Sequence, residues 1–264
     1  MPLTKARMKA LRALAQKKFR DQTGTFLAEG HRLVRDAIAS DFEILEGLFT
    51  AAFADDAGAR PVLTRLRAKC RRVEQVTARE MEQVTETVSP PGVLAVLRQK
   101  RENASRLMER RDLATTLVAL DGVSDPGNVG SIVRTCDWFG VNGVLLGLES
   151  VDLYNPKVVR ATMGGIFHLP VVDDVDILSF TTHAKTRGYA VCVTDPAGET
   201  HHDRVKFPSR SLIVFGNEAR GVSDQVRAMA DMRIAIRRYG AGESLNVAVA
   251  CGIVLSRLHP LLDE

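Results

Sequence analysis

The 264-residue sequence predicts an α/β protein in two parts, a C-terminal parallel-sheet domain and a smaller N-terminal α/β domain. Three observations carry this. From about residue 113 onward, continuous apolar runs of strand length alternate with helical segments, as in a parallel sheet covered on both faces. The polar, charge-dense stretch RENASRLMERRD (101–112) reads as a linker. The net charge also changes sign there: residues 1–111 hold 22 Lys+Arg and 14 Asp+Glu, a net of +8, while the rest holds 14 and 18, a net of −4. The boundaries expected are 1–100 for the basic N-terminal helix and its domain, 101–115 for the linker and 116–264 for the parallel-sheet domain.

The N-terminal elements follow in order. Residues 4–20 predict one helix, with Leu11, Leu14 and Phe19 at helical spacing among seven Lys/Arg and no acid. TGTFLAEGHRLVRDAIAS (23–40) predicts a short strand entering an amphipathic helix. EILEGLFTAAF (43–53) is strand-like and PVLTRLRAKC (61–70) helix-like. SPPG (89–92) marks a turn before the strand VLAVLRQK (93–100).

In the C-terminal part, TLVALDGV (116–123) is a buried-strand run leading through SDPGN into a helix that stops near Gly140. GVLLG (143–147) is the next strand. Asn155 and Pro156 open a helix as N-cap and first residue. LPVV, a helix ending near Gly188, and the strands YAVCVTD (189–195) and SLIVFG (211–216) come next. A short helix opens at Ser223, followed by the strand RIAI (233–236) and a last helix over 244–258.

Composition excludes several classes. Hydrophobic residues at 45% and charged residues at 26% exclude wholesale disorder. The longest apolar run, LNVAVACGIVL (245–255), is about half the roughly 20 residues of a membrane span. The basic N-terminus lacks the apolar stretch of a secretory signal, and its absence of acids leaves a transit peptide open. Cys70, Cys136, Cys192 and Cys251 have no close pairing and no CxxC, which points to reduced thiols. HHD (201–203) reads as a solvated loop, since no matching metal ligands lie near it. A soluble, cytoplasmic protein with no membrane partner and no metal is expected. The basic N-terminal part fits either a polyanion partner or a solvated helix surface.

A parallel sheet places ligands beyond the C-terminal ends of its strands. Three Gly-rich, Asn-containing loops lie there: DGVSDPGNVGSIVRT (121–135), FGNEARGVSD (215–224) and RRYGAGESLN (237–246). Glycine lets backbone approach a ligand closely, and a following helix N-terminus supplies free N–H donors. Each loop alone reads as an ordinary turn; three at matching strand ends point to a ligand site. A nucleotide-dependent oxidoreductase is the competing reading, and no G-x-G-x-x-G follows the first strand.

The segments LDGVSDPGNVGSIVRTCDWFGV, LIVFGNEARGVSD and RIAIRRYGAGESLNVAVACGIVL resemble the three motifs of the SpoU/TrmH family of RNA 2′-O-ribose methyltransferases, in the family's order and spacing. Residues 22–98 are similar to the substrate-binding domain often found ahead of the catalytic domain. The resemblance implies a deep trefoil knot in the C-terminal domain, S-adenosylmethionine as methyl donor, and a structured RNA substrate, ribosomal RNA ahead of transfer RNA. It implies a homodimer formed through the catalytic domain, with Phe139 and the last helix as interface candidates. The donor pocket would use Phe215, Gly216, Asn217, Glu218, Gly221, Ile234, Ile236, Ser244, Leu245 and Asn246. Catalytic roles fall on Arg134, Asn128, Glu218, Ser244 and Asn246.

Arginine is effectively always protonated, so Arg134 is expected to act as a cation that lowers the ribose hydroxyl's pKa and orients the adjacent phosphate. Glu218 either accepts the proton or only caps and pairs within its loop. Ala235 stands where the family commonly has proline, and Cys136 where it has alanine, as a small packing residue. Arg160 and Thr162 of VVRATMGG are candidate RNA contacts. A catalytically inactive RNA-binding protein of the same fold is the alternative function.

Overall fold

The structure, a computed structural model, describes residues 3–87, 90–109 and 114–258. Ser89 of the SPPG turn and residues 110–113 of the linker lie outside the described residues. The chain forms two compact units: Met1–Lys100 with Tyr154–Phe167, and Arg101–Leu153 with His168–Glu264.

The basic N-terminal stretch forms two helices where one is expected, α1 (Lys5–Ala13) and α2 (Lys17–Thr23). Arg20 explains the break. Its buried guanidinium donates to the carbonyls of Leu14 and Ala15 at 2.7 and 2.8 Å, satisfying groups that the end of α1 leaves unpaired. Leu11 and Leu14 are buried, whereas Phe19 stays at the surface. There follow β1 (Thr25–Glu29), α3 (His31–Ala39), β2 (Ile44–Thr50), α4 (Ala51–Asp55), α5 (Arg60–Lys69), β3 (Val73–Val76), α6 (Ala78–Val84) and β4 (Val93–Arg98). The sheet order is β1-β4-β2-β3, antiparallel except for the parallel β2/β3 pair. Leu11 of α1 and Met81 and Val84 of α6 pack with Leu27, Leu48, Leu94 and Val96 of the strands. β3 and α6 carry little periodic signal, since VEQV has only two apolar residues. The start of α6 was nevertheless signposted: Thr77 and Glu80 form a reciprocal capping box.

The second unit is built on seven parallel strands. Its elements begin with β5 (Thr115–Asp121), α7 (Pro126–Trp138) and β6 (Gly143–Gly147). After α8 (Pro156–Ala161), which belongs to the first unit, come β7 (Val171–Val175), α9 (Ile177–Thr186), β8 (Ala190–Thr194) and β9 (Thr200–His201). β10 (Arg210–Gly216), α10 (Asp224–Ala228), β11 (Met232–Ala235) and α11 (Val247–Leu255) complete it. Strand order is β7-β6-β5-β10-β8-β11-β9, and every pairing is parallel. The expected parallel sheet is thus present. One face, with Leu117, Ala119, Val191 and Val214, packs against Ile177 and Phe180 of α9 and Val226 of α10. Helices α7 and α11 pack on each other. His201 ends the short β9, and residues His202–Arg204 form a 3-10 turn.

Two expectations change. The last helix starts at Val247, because Asn246 is its N-cap: Asn246 Oδ1 accepts from the N–H groups of Ala248 and Val249 at 2.9 and 3.2 Å. Ser244 and Leu245 therefore sit in the preceding loop. Thr162 is not available to RNA, and Arg160 is only partly exposed. The Arg160 guanidinium lies 3.5 Å from the buried Glu29 carboxylate, and Thr162 is fully buried with its hydroxyl donating to the Val159 carbonyl at 2.7 Å. Their segment is tied into the first unit by Tyr154 and Phe167, whose rings lie 4.6 Å from Phe26 and 5.2 Å from Phe42.

Candidate active site

The site begins with strand geometry. β10 lies between β5 and β8, but its register with β8 ends at Val214, paired with Val193. Phe215 and Gly216 pair only with Leu120 and Asp121 of β5. Their other backbone edge is left outside the ladder at the C-terminal end of the sheet, where a ligand can use it. The Phe215 side chain is fully buried, so this residue offers backbone alone.

Beyond β10 the chain turns sharply. Asn217 and Gly221 exchange backbone hydrogen bonds at 3.1 and 2.8 Å, closing the tight loop NEARG. Gly221 takes a φ of 70°, a left-handed conformation suited to glycine. A Cβ at Gly216 would lie 2.1 Å from the Gly221 carbonyl carbon and the Val222 nitrogen. The chain passes itself there at a distance that admits no side chain. Asn217 fixes the loop further: its Nδ2 donates to the Gly122 carbonyl at 2.8 Å, and its Oδ1 accepts from the Ala219 N–H at 2.9 Å.

The three loops meet in one chain of hydrogen bonds. Asn128, at the third position of α7, donates from Nδ2 to Glu218 Oε1 at 2.7 Å. Asn246, the N-cap of α11, donates from Nδ2 to Asn128 Oδ1 at 2.9 Å. Asn128 is itself placed by Asp125, whose side chain accepts its backbone N–H at 2.8 Å. Glu218, Asn128 and Asn246 are therefore held as a unit, with each amide orientation set by its neighbour.

Not every expected residue joins that unit. Arg134 is exposed and makes no hydrogen bond or ion pair among the described residues. It lies six residues along α7 from Asn128, about 9 Å farther along the axis and roughly 120° around it. Ser244 and Leu245 are exposed loop residues, with Leu245 49% exposed. The Ile234 carbonyl accepts from Asp195 N–H at 2.9 Å, so Ile234 has its buried side chain, not that oxygen, to offer a ligand. Burial, then the neighbouring Cys251, push the Cys136 thiol well above its usual range, which suits a packing residue. All four cysteines are free and buried.

Three residues beyond the expected set brace these loops: Asp121, Arg220 and Glu149. Asp121 Oδ2 accepts from Ser223 N–H at 2.8 Å, anchoring the far end of the second loop to the first strand. Arg220 forms an ion pair with Glu149, just past β6, beside Gly122. Their signal is position: Asp121 ends β5 and Glu149 lies just past β6, at the C-terminal end of the sheet where the three loops gather.

These residues fit a nucleoside-like cationic donor. The unpaired Phe215–Gly216 edge could satisfy an adenine edge, Ile234, Ile236 and Leu245 would supply apolar contact, and the Glu218 carboxylate would offer charge complementary to a sulfonium. Among the described residues, no group of three or more His, Cys, Asp or Glu side chains could hold a metal ion.

Fold and site together define a parallel-sheet α/β protein with three strand-end loops joined by side-chain hydrogen bonds. The SpoU rRNA Methylase family model matches residues 115–256, and the MRM3-like substrate binding domain matches residues 5–95. The chain belongs to the SpoU rRNA methylase family, S-adenosylmethionine-dependent RNA methyltransferases. It is 30% identical over 253 residues to the 23S rRNA (guanosine(2553)-2′-O)-methyltransferase RlmP of Bacillus subtilis, covering 96% of each chain. Among solved structures, it is similar to the AdoMet-bound rRNA methyltransferase of Sinorhizobium meliloti, with TM-score 0.86, 30% identity and 98% and 97% of the two chains covered. The SpoU methyltransferase AviRb of Streptomyces viridochromogenes, in complex with AdoMet, gives a TM-score of 0.84 at 26% identity, covering 97% of each chain.

Proposed function

We propose that this protein transfers a methyl group from S-adenosylmethionine to a ribose 2′-hydroxyl of structured RNA, with large-subunit ribosomal RNA as substrate ahead of transfer RNA. The observation that carries this reading is the Glu218–Asn128–Asn246 chain, which joins the three family motifs at the end of a parallel sheet. The donor, held by Phe215, Gly216, Asn217, Glu218, Gly221, Ile234, Ile236, Ser244, Leu245 and Asn246, supplies a methyl electrophile on sulfur.

The chain's own residues prepare the acceptor. Asn128 holds one Glu218 oxygen, so the carboxylate is fixed in direction while its other oxygen remains available to a hydroxyl proton. Asn246 keeps Asn128 in the amide orientation that makes this possible. Arg134 stabilises the developing alkoxide as a permanent cation and orients the neighbouring phosphate.

Arg134 is remote from its own chain's network, and a homodimer resolves this. Trp138, 84% exposed, lies four residues after Arg134 on the same face of α7, and Val249 of the adjoining α11 is 50% exposed. A second copy covering Trp138 would cover Arg134 as well, and Arg134 would serve the partner's site. The trefoil knot belongs to the same proposal, supported by β10 lying between β5 and β8 and by the self-passage at Gly216. The residues matched to a substrate-binding domain would grip RNA with their net positive charge. We place the protein in the cytoplasm; among the described residues no helix is long and apolar enough to cross a membrane.

Labelled-methyl transfer to an unmodified ribosomal RNA transcript, followed by alkaline hydrolysis, tests the reading. A ribose methyl blocks cleavage at its own nucleotide, so label should appear in alkali-resistant dinucleotides. Label released in mononucleotides would mean base methylation and would overturn the assignment.

A further inference from the structure

We infer that Tyr239, directly preceded by Arg237 and Arg238, forms a second RNA contact on the catalytic unit, stacking on an unpaired base while the two guanidiniums hold the adjacent phosphates. This rests on the proposed RNA substrate and gives the loop between β11 and α11 a second role, beside the donor contacts proposed for Ser244, Leu245 and Asn246. The loop after β11 runs fully exposed from Arg237 to Asn246. Tyr239 is 89% exposed, the most exposed large hydrophobic residue described. A ring so placed gains nothing from the fold, and its phenol and flat face suit a partner that is part apolar and part wet.

The charge around it is also unspent. Arg237 and Arg238 make no ion pair among the described residues; Arg238 only donates to the Gly242 carbonyl at 3.4 Å, which curls the loop. They stand in a stretch of chain whose net charge is −4, so a pair of adjacent cations runs against the local trend. Glu243 is the loop's one carboxylate, leaving it net positive. A Cβ built at Gly240 or Gly242 would meet nothing within 4 Å, so the loop stands clear of the fold on both sides of its tip. It ends at Asn246, the residue bonded to Asn128, seven positions after Tyr239. An aromatic directly after two arginines, beside the site where a ribose must be presented, matches the way proteins hold splayed single-stranded RNA, by base stacking and phosphate pairing.

The test measures binding of an unmodified transcript of bacterial large-subunit ribosomal RNA to the full chain. Tyr239→Ala should weaken binding about tenfold at fixed salt, and Tyr239→Phe should stay within about twofold, because the ring face and not the hydroxyl carries the stack. Arg237→Ala with Arg238→Ala should instead flatten the logarithmic salt slope by roughly one to two. S-adenosylmethionine binding by calorimetry and oligomeric state by light scattering should be unchanged in every variant. Wild-type-like RNA binding by Tyr239→Ala overturns the inference, as does loss of donor binding (a cofactor lid) or a change of oligomeric state (a subunit contact). If the wild type methylates RNA while Tyr239→Ala binds it normally, this inference alone fails. If the wild type neither binds nor methylates RNA, the proposed function fails with it.

Discussion

Asn246 donates to Asn128 across 118 residues of sequence, at 2.9 Å, while its own Oδ1 caps helix α11. One side chain therefore does two separable things: it starts a helix, and it orients the amide that in turn orients Glu218. Replacement by Asp keeps the capping oxygen and removes the donor. Asn246→Asp should keep a melting temperature near wild type yet lose roughly 2- to 10-fold in transfer rate, the range set by one hydrogen bond of about 0.5–1.5 kcal/mol. Asn246→Ala should add a stability loss of about 1 kcal/mol from the missing cap. Thermal melts beside initial rates check both, and equal activity in Asn246→Asp and wild type would refute the orienting role.

Asn128→Asp is a sharper test of the same chain. It keeps an acceptor for Asn246 but sets a carboxylate against Glu218, replacing a 2.7 Å hydrogen bond by like-charge repulsion. Turnover should fall further than in Asn246→Asp, and lowering the pH should recover part of it as one of the two carboxylates takes up a proton. A pH–rate profile parallel to that of wild type would show that the two side chains do not interact in the working enzyme.

How much of this was legible in the sequence follows from the range of each interaction. The strands of the second unit are continuous apolar runs and their loops carry the glycines, so the sheet and the three loops could be read locally. The break at Leu14–Gln16 could not, because Arg20 reads as one more cation of a basic helix until its burial against the end of α1 is seen. The return of Tyr154–Phe167 to the first unit depends on aromatic contacts more than a hundred residues away in sequence, and periodicity is blind to them. The site residues came from the motifs. Their bonding order, Glu218 to Asn128 to Asn246, is a product of the strand order and had no local signal.

Gly216 and Gly240 make a contrast between two glycines of the site region. At Gly216 a methyl would sit 2.1 Å from backbone atoms that cannot move aside, whereas at Gly240 it would meet nothing within 4 Å. Gly216→Ala should cost roughly 3 kcal/mol or fail to fold, and Gly240→Ala should stay within about 0.5 kcal/mol of wild type. Denaturant unfolding of the two variants side by side measures this, and a stable Gly216→Ala would mean that the chain does not pass itself so closely at that point.

Asp231 supplies a pH dependence with a definite sign. Burial pushes its carboxyl up, but the hydrogen bond from Lys185 at 2.6 Å and the Val191 N–H at 2.9 Å outweigh it and hold the group below the ordinary aspartate value of 3.8. A depressed folded value means the contribution is present above that pH and is lost as pH falls through it. Asp231→Asn should therefore lower the melting temperature at neutral pH, and the gap to wild type should close below about pH 4. A gap that persists unchanged into acid would assign the loss to packing at the start of β8 and not to the charge.

Arg134 carries the last prediction, because its position separates chemistry in one chain from chemistry shared between two. It is exposed, unpaired among the described residues and on the same face of α7 as Trp138, while Glu218 is held in its own chain by Asn128. If a second copy covers that face, each site takes Glu218 from one chain and Arg134 from the other. Arg134→Ala and Glu218→Ala should each abolish transfer alone, with S-adenosylmethionine binding retained in Arg134→Ala. Mixing the two inactive proteins under conditions that exchange subunits should then restore activity, since half of the sites in a mixed dimer receive two intact groups. The yield approaches one quarter of wild type when exchange is complete, because half of all dimers are mixed and each has one whole site. Absence of any recovery, with exchange confirmed by native mass spectrometry, would place Arg134 in the site of its own chain.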